Sequence, residues 1–322
     1  MDIKVQLTTP GDVDGLGIVA NGTLVPGPGE IRVRHEAVGV NFIDIYQRIG
    51  LYPLSLPAVL GVEGAGIVEA IGEGVDADLV GQRVAYAGQT GAYATRRLLP
   101  AWRAVPLPDA IDMRIAAASF LRGLAVHMLL IRTFPARPGA VLLVHAAAGG
   151  LGAALTRWAK TLGYTVIGTV SSQTKANLAR ENGADHVIVG RDADFTGEVR
   201  RLTSGRGVDF AVDGIGGTTL AKTIACACRF GIVASVGQAA GPIPPIDVDA
   251  LGPLRSASLA RPSVMAYAAE RETYRAAMAD VAAAIEKGIL PRQVVDYPIV
   301  RAAEAQHALE TGTTTGALVL IP

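Results

Sequence analysis

The residues most suited to chemistry are three glycines, Gly149, Gly150 and Gly152, which follow the apolar run 141–144 after four intervening residues. This run predicts a strand buried on both faces, and apolar residues recur at helical spacing after the glycines. A strand, a glycine turn and a helix in this order form a cradle for the pyrophosphate of a dinucleotide. Small residues let the backbone approach the phosphates, and the helix N-terminus supplies unpaired N–H groups. The residues predicted to line the cradle are Ala148, Gly149, Gly150, Leu151 and Gly152.

The end of the next predicted strand, 165–170, indicates which dinucleotide binds. An NAD enzyme places a carboxylate near this point to accept hydrogen bonds from the ribose 2′-hydroxyl. Here Ser171 and Ser172 follow the strand, with Lys175 just beyond and Arg191 after the following strand. Hydroxyls and cations favour a 2′-phosphate, so the pattern predicts NADP(H). The alternative makes a serine the N-cap of the helix 173–182 and Lys175 a solvated charge; both interpretations are compatible.

The elements that position these residues fall into two patterns along the chain. Short alternating segments at 30–38, 65–71 and 81–86 predict a β-rich region over 1–110, followed by a helical stretch at 111–133. Strands are predicted at 141–146, 165–170, 186–189, 208–213 and 229–235. Helices are predicted at 150–163, 173–182, 193–203 and 216–226, which makes a doubly wound parallel sheet. A helix at 268–287 precedes a strand–helix–strand tail that we expect to rejoin the first domain.

Composition narrows the class of protein. The chain has 322 residues, half of them hydrophobic, with 29 basic and 29 acidic side chains. A net charge of zero argues against nucleic acid and against an acidic membrane surface as partners. Cys226 and Cys228, the only cysteines, are too close in sequence for a good disulfide and are expected to be buried thiols. With no signal-peptide pattern at the N-terminus, we expect a cytoplasmic protein.

Several further segments form recognisable motifs: Val40-Asn-Phe-Ile-Asp-Ile-Tyr46, Gly50-Leu-Tyr52, Gly61-Val-Glu-Gly-Ala-Gly66, Val144-His-Ala-Ala-Ala-Gly-Gly-Leu-Gly152, Gly183-Ala-Asp-His-Val187 and Gly205-Arg-Gly-Val-Asp209. Together they resemble the zinc-independent quinone oxidoreductases, the zeta-crystallin-like branch of the medium-chain dehydrogenase/reductases. The resemblance implies an α/β protein with a GroES-like catalytic domain over 1–118, completed by 264–322, and a Rossmann domain over 119–263. It also implies NADPH in a cleft between the domains, and a homodimer formed through the outer edge of the Rossmann sheet near 229–235.

The resemblance also bears on metal binding. The zinc alcohol dehydrogenases of this superfamily hold catalytic zinc with two cysteines and one histidine. In this chain the first of these positions is Asn41, the Gly-His-Glu motif reads Gly61-Val62-Glu63, and no cysteine precedes residue 226. Since zinc needs such nitrogen and sulfur ligands, we expect no metal site.

Without zinc, other groups must orient the substrate oxygen. A quinone is already electron-poor, so hydride transfer needs only positioning and hydrogen bonds to the developing oxyanion. The candidate catalytic residues are Asn41, Tyr46 and Tyr52, in segments that resemble the family's active site; Asn41 can instead orient the nicotinamide ribose. The alternative for both tyrosines is ordinary packing. We expect Asp44 to tie the local turn and Glu63 to be buried against backbone.

The remaining expectations concern residues that lie at predicted strand ends and residues whose types differ from those of the family. Val236 and Gly237 stand in the loop that usually reads Phe-Gly and are expected to contact the cofactor. Gly190 replaces a tyrosine that packs near the 2′-phosphate in related proteins, and Ala317 replaces a basic residue. His145 is expected to be a hydrogen-bonded core residue rather than a base.

These observations predict an NADPH:quinone oxidoreductase with a small-molecule substrate. A second hypothesis is NADPH-dependent reduction of an activated C=C bond in an enal or enone. A third, of another class, is a non-catalytic NADPH-binding or RNA-binding protein, which the zero net charge and the candidate catalytic residues disfavour.

Overall fold

A computed structural model describes residues 2–135, 137–290, 293–312, 314 and 316–322. The chain divides into two compact units, 1–124 with 264–322, and 125–263. The boundary therefore falls inside a helix, Phe120–His127.

The strands of the first unit are β1 (Ile3–Leu7), β2 (Leu16–Ala20), β3 (Glu30–Val40), β4 (Ala58–Val59), β5 (Glu63–Ile71), β6 (Arg83–Ala87), β7 (Arg96–Pro100) and β8 (Val105–Pro106). Those of the second unit are β9 (Val141–Val144), β10 (Thr165–Val170), β11 (His186–Val189), β12 (Val208–Asp213), β13 (Ala227–Ser235) and β14 (Ser258–Ala260). The chain ends with β15 (Val294–Pro298) and β16 (Ala317–Ile321), which belong to the first unit.

The helices are α1 (Phe42–Arg48), α2 (Met113–Ala117), α3 (Phe120–His127), α4 (Gly150–Thr161), α5 (Gln173–Glu181), α6 (Phe195–Leu202), α7 (Thr219–Cys226), α8 (Val264–Ala269), α9 (Arg271–Glu286) and α10 (Ala302–Thr311). A π-helical segment, Met128–Thr133, continues α3. No helix in the described part of the chain is long and apolar enough to span a membrane.

The first unit is built on a sheet in the order β15-β16-β3-β5-β6-β8, with β7 also paired to β3. Alternate residues of β3, such as Ile31 and Val33, are fully buried in its core, as period-two alternation predicts. β16 pairs antiparallel to the end of β3, with Leu318 opposite Val40. The C-terminal strand is therefore part of the sheet of the first unit.

The second unit is a parallel sheet in the order β11-β10-β9-β12-β13-β14, which confirms the predicted Rossmann sheet. Parallel strands put their carboxyl ends at one edge, where ligands bind in such sheets. The glycine turn after β9 and the loops after β10, β11 and β13 therefore lie at the same edge. Cys226 and Cys228 are buried free thiols, as expected.

Two predicted elements differ from the structure. The helix expected over 268–287 is two helices, because Glu270 adopts an extended conformation (φ −90°, ψ 116°) and accepts a hydrogen bond from Thr273 N as the N-cap of α9. The strand expected at 229–235 is not an edge strand, because β14 pairs with it from Ile232 to Ala234. The edge strand on this side of the sheet is therefore β14, and β11 forms the opposite edge.

Candidate functional site

The glycine turn connects β9 to α4, with Gly149 as the N-cap of the helix. A Cβ on Gly152 would lie 2.4 Å from the carbonyl oxygen of Ala146 and 2.8 Å from the Cα of Ala147. Only glycine lets the first turn of α4 pack this closely against the chain that leaves β9. The N–H groups of the first turn, at 150–152, have no intrahelical acceptor and are available to an anion.

Ala147 stands where the fingerprint usually has its first glycine, and the structure shows what accommodates it. Its side chain is fully buried over Gly168 of β10, where a Cβ would lie 2.6 Å from the Ala147 Cβ. Its N–H donates to the carbonyl of Thr169 at 3.1 Å. The missing glycine is therefore compensated on the neighbouring strand, and the cradle keeps its close backbone packing.

The residues predicted to select the 2′-phosphate follow two adjacent strands. β10 and β11 pair in parallel up to Val170 and Val189, so Ser171 and Arg191 leave neighbouring strand ends. Ser172 is the N-cap of α5, and its hydroxyl accepts a hydrogen bond from Lys175 N at 3.3 Å. The capping role expected as an alternative is therefore present, and Ser171, Ser172 and Arg191 are exposed. The segment after β10 offers hydroxyls and a cation without a carboxylate, and Arg191 adds a second cation, which fits a phosphate.

The loop after β13 reaches the same edge. Val236 N donates to the carbonyl of Asp213, the last residue of β12, at 2.8 Å, and Gly237 follows with its backbone buried. These positions agree with a cofactor-contacting loop at the carboxyl ends of the strands.

His145 is a hydrogen-bonded core residue, as expected. Its Nδ1 lies 2.9 Å from Thr169 Oγ1 and its Nε2 lies 2.8 Å from Thr223 Oγ1. Thr223 in turn donates to the Asp213 carboxylate at 2.8 Å. Burial lowers the pKa of His145, which favours the neutral ring, and its two hydrogen bonds connect β10 to α7.

In the first unit, Asn41 joins β3 to α1 as the N-cap residue. Its Nδ2 donates to Glu63 Oε1 at 2.7 Å, and its backbone N–H donates to Asp44 Oδ2 at 2.8 Å. Asp44 also accepts from the Tyr93 hydroxyl at 3.1 Å. The hydrogen bond from Asn41 N shows that Asp44 ties the turn, as predicted, and burial raises the pKa of Asp44 to about 8.

The two candidate tyrosines lie together. Their ring centroids are 5.4 Å apart with planes at 70°, and Tyr52 N donates to the carbonyl of Tyr46 at 3.0 Å. Tyr46 is 7% exposed and Tyr52 is 36% exposed. Phe42, which sequence reasoning missed, extends the group: it lies one helical turn before Tyr46, with centroids 6.2 Å apart. The i, i+4 spacing of two aromatic residues was the available signal.

Glu63 is the second residue whose importance the sequence understated. It was expected against backbone, and its Oε2 does accept from Leu121 N at 2.7 Å. Its other oxygen holds the Asn41 side chain, which no motif indicated. Burial raises the pKa of Glu63 to about 7.

Comparison with known proteins gives matches to two families. Residues 27–109 match the alcohol dehydrogenase GroES-like domain, and residues 150–283 match the family described as zinc-binding dehydrogenase. A quinone oxidoreductase of Pseudomonas aeruginosa is 41% identical over 300 residues, 92% of each chain. A 2-haloacrylate reductase of a Burkholderia species is 39% identical over 306 residues, 92% of each chain. The crystal structure of Escherichia coli quinone oxidoreductase complexed with NADPH superposes with a TM-score of 0.95 at 37% identity, covering 99% of this chain and 100% of the other.

Zinc does not fit the residues of this chain, despite the description of the second family. Asn41 and Val62 stand at the ligand positions, and the Asn41 amide is hydrogen-bonded to Glu63. Within the described residues there is no group of three or more His, Cys, Asp or Glu side chains that can hold a metal ion. We therefore derive no step through zinc.

Proposed function

The chain belongs to the zeta-crystallin-like quinone oxidoreductase family of the medium-chain dehydrogenase/reductases, and we propose from this that it is an NADPH:quinone oxidoreductase. The observation that carries the proposal is the glycine turn after β9, followed at the end of β10 by Ser171, Ser172 and Lys175 with no carboxylate. When bound, NADPH supplies a hydride from C4 of its nicotinamide ring.

The residues of this chain then have distinct roles. Ala148, Gly149, Gly150, Leu151 and Gly152 hold the pyrophosphate, and Ser171, Ser172, Lys175 and Arg191 hold the 2′-phosphate. Val236 and Gly237 contact the cofactor from the loop after β13. Asn41, Tyr46 and Tyr52 orient the nicotinamide ribose or the substrate oxygen. The carboxyls of Asp44 and Glu63 hold Asn41 in position, since both are buried and both accept a hydrogen bond from it.

The function is tested by following NADPH oxidation against a panel of quinones and 2-alkenals. Turnover with quinones is expected. A protein that binds NADPH but oxidises it with neither class is the non-catalytic alternative, and that result would overturn the proposal. Reduction of an activated C=C bond is the second candidate, favoured by the likeness to the 2-haloacrylate reductase. Turnover with 2-alkenals and none with quinones would select it.

NADPH is expected to bind at least about tenfold more tightly than NADH, because of the cations near the β10 end. Lys175→Ala should remove about 1–2 kcal/mol of this preference, the scale of a charge-assisted hydrogen bond. Fluorescence titration with both cofactors measures the ratio. Lys222→Ala, an exposed lysine on α7, is the matched control and should leave the ratio unchanged. Equal dissociation constants for the two cofactors in the unaltered protein would contradict this.

We further propose that the protein is a cytoplasmic homodimer that pairs through β14, the outer strand of the Rossmann sheet. An unpaired edge strand is a natural pairing surface. Two large apolar side chains belong to the neighbouring chain: Leu254 lies four residues before β14, and Phe230 lies on β13, which pairs with β14. Phe230 is 71% exposed and Leu254 is 90% exposed, and Phe230 N donates to the Arg255 carbonyl at 2.9 Å. Light scattering should give twice the chain mass, and Leu254→Asp should shift the protein toward the monomer. A monomer at working concentration would refute the dimer.

A further inference from the structure

Glu63 lies in an enclosed position at the start of β5, with only 1% of its surface exposed. Each carboxyl oxygen has one donor: Oε1 accepts from Asn41 Nδ2 and Oε2 accepts from Leu121 N, both at 2.7 Å. A Cβ on Gly39 would lie 2.4 Å from Oε1. The glycine in β3 therefore makes the space in which this carboxyl reaches Asn41.

This contact decides which way the Asn41 amide faces. An ionised carboxylate only accepts hydrogen bonds, whereas an asparagine amide donates at one end and accepts at the other. The two ends are nearly equal in size, so packing alone does not choose between them. Because Glu63 takes the nitrogen, the amide oxygen is turned away from it, toward the backbone N–H of Asp44 in the capping box of α1. An amide oxygen has two lone pairs and Asn41 is only partly buried, so this oxygen can also accept from a ligand.

We propose that Glu63 is a positioning residue that holds the Asn41 amide with its nitrogen inward and its oxygen toward the ligand. Asn41 is then an acceptor for a hydroxyl of the nicotinamide ribose, and not a donor to the reduced substrate oxygen. The assignment rests on the proposed function, in which Asn41 contacts the cofactor or substrate. It leaves the tyrosine hydroxyls as the donors to the oxyanion.

The protonation of Glu63 gives a second way to test the proposal, the pH dependence of cofactor affinity. Burial raises the pKa of Glu63 to about 7, opposed by Asn41, Leu121 N and the charge of Arg122. Asp44, Tyr86 and Tyr93 are the other titratable groups that interact with it. A protonated Glu63 can donate to the amide oxygen, so the amide is no longer held in one orientation. Cofactor affinity should therefore be full above pH 7 and fall below it.

The test compares cofactor dissociation constants, measured by fluorescence titration, for four proteins: unaltered, Asn41→Ala, Glu63→Gln, and the double variant Asn41→Asp with Glu63→Gln. In Glu63→Gln the new amide keeps its oxygen toward Leu121 N and turns its NH2 toward Asn41. The Asn41 amide should then reverse, which weakens binding roughly fivefold, the scale of one lost hydrogen bond.

The double variant is expected to restore the cofactor affinity that Glu63→Gln loses. Its new carboxylate at position 41 accepts from the new amide at position 63 and still offers an oxygen to the ligand, because a carboxylate accepts at both ends. Affinity should recover to within about twofold of the unaltered protein.

The outcomes separate this proposal from the function on which it rests. If Asn41→Ala binds cofactor as well as the unaltered protein, the contact assigned to Asn41 is wrong. If Asn41→Ala weakens binding but Glu63→Gln does not, or if the double variant fails to recover, the positioning role is wrong. If Glu63→Gln does not fold, the pH dependence of NADH affinity in the unaltered protein tests the proposal instead. NADH lacks the titrating 2′-phosphate, and the affinity of the protein for it should fall between about pH 8 and about pH 6. An NADH affinity that does not change over this range overturns the proposal.

Discussion

Replacing Gly152 by valine is expected to abolish measurable NADPH binding. A Cβ at this position would lie 2.4 Å from the Ala146 carbonyl oxygen, and both neighbouring atoms in the clash are backbone. The start of α4 must then move away from the turn, and the N–H groups of its first turn leave the pyrophosphate. Losing several charge-assisted hydrogen bonds weakens binding by more than about 100-fold. Titration of cofactor fluorescence measures the loss, with thermal unfolding as the check on folding.

Two glycines provide graded controls. A Cβ on Gly149 would lie 3.1 Å from the same carbonyl, a tight contact that a small shift relieves, so Gly149→Ala should bind NADPH with only a moderate loss. Gly17 on β2 has its nearest contact at 3.9 Å, so Gly17→Ala should bind normally. Normal binding by a folded Gly152→Val protein would show that the turn is not the pyrophosphate cradle.

Removing both tyrosine hydroxyls near Asn41 is expected to lower turnover with quinones on the order of 10²-fold, the usual effect of losing an oxyanion donor. Tyr46→Phe and Tyr52→Phe keep the rings, which pack edge to face with each other. NADPH affinity should therefore change little. Tyr52 is 36% exposed, so water can replace its hydroxyl and its single variant should show the smaller loss. Stopped-flow or steady-state oxidation of NADPH gives the rates.

Tyr297→Phe, a partly buried tyrosine on β15, is the matched control and should retain full turnover. The tyrosines act as donors only if the losses appear in the rate and not in cofactor binding. If both single variants and the double variant keep the turnover of the unaltered protein on every active quinone, the rings serve packing alone. Catalysis would then depend on positioning.

Much of the second unit could be predicted from the sequence, because its strands are short runs rich in apolar and β-branched residues and are separated by helical segments. The strands at 165–170, 186–189 and 208–213 have the predicted bounds. A glycine turn between a strand and a helix is a local pattern, so its place at the sheet edge follows from the chain order alone.

The elements that the sequence did not predict depend on partners distant in the chain. β14 has three residues, too few for a periodic signal, and is a strand only because β13 pairs with it. The break at Glu270 between α8 and α9 depends on one extended residue inside an otherwise helical pattern.

The sequence by itself predicted the two-part α/β organisation, the glycine turn and the cations at the strand ends, since each is local in the chain. Asn41, Tyr46 and Tyr52 became candidate residues through the resemblance of their segments to the family. Only the tertiary structure decided which way Asn41 faces. The antiparallel register of β3 and β5, with Val38 opposite Gly64, brings Glu63 beside Gly39 and within reach of Asn41. Donor and acceptor are 22 residues apart, and only sheet pairing sets a hydrogen bond over that separation.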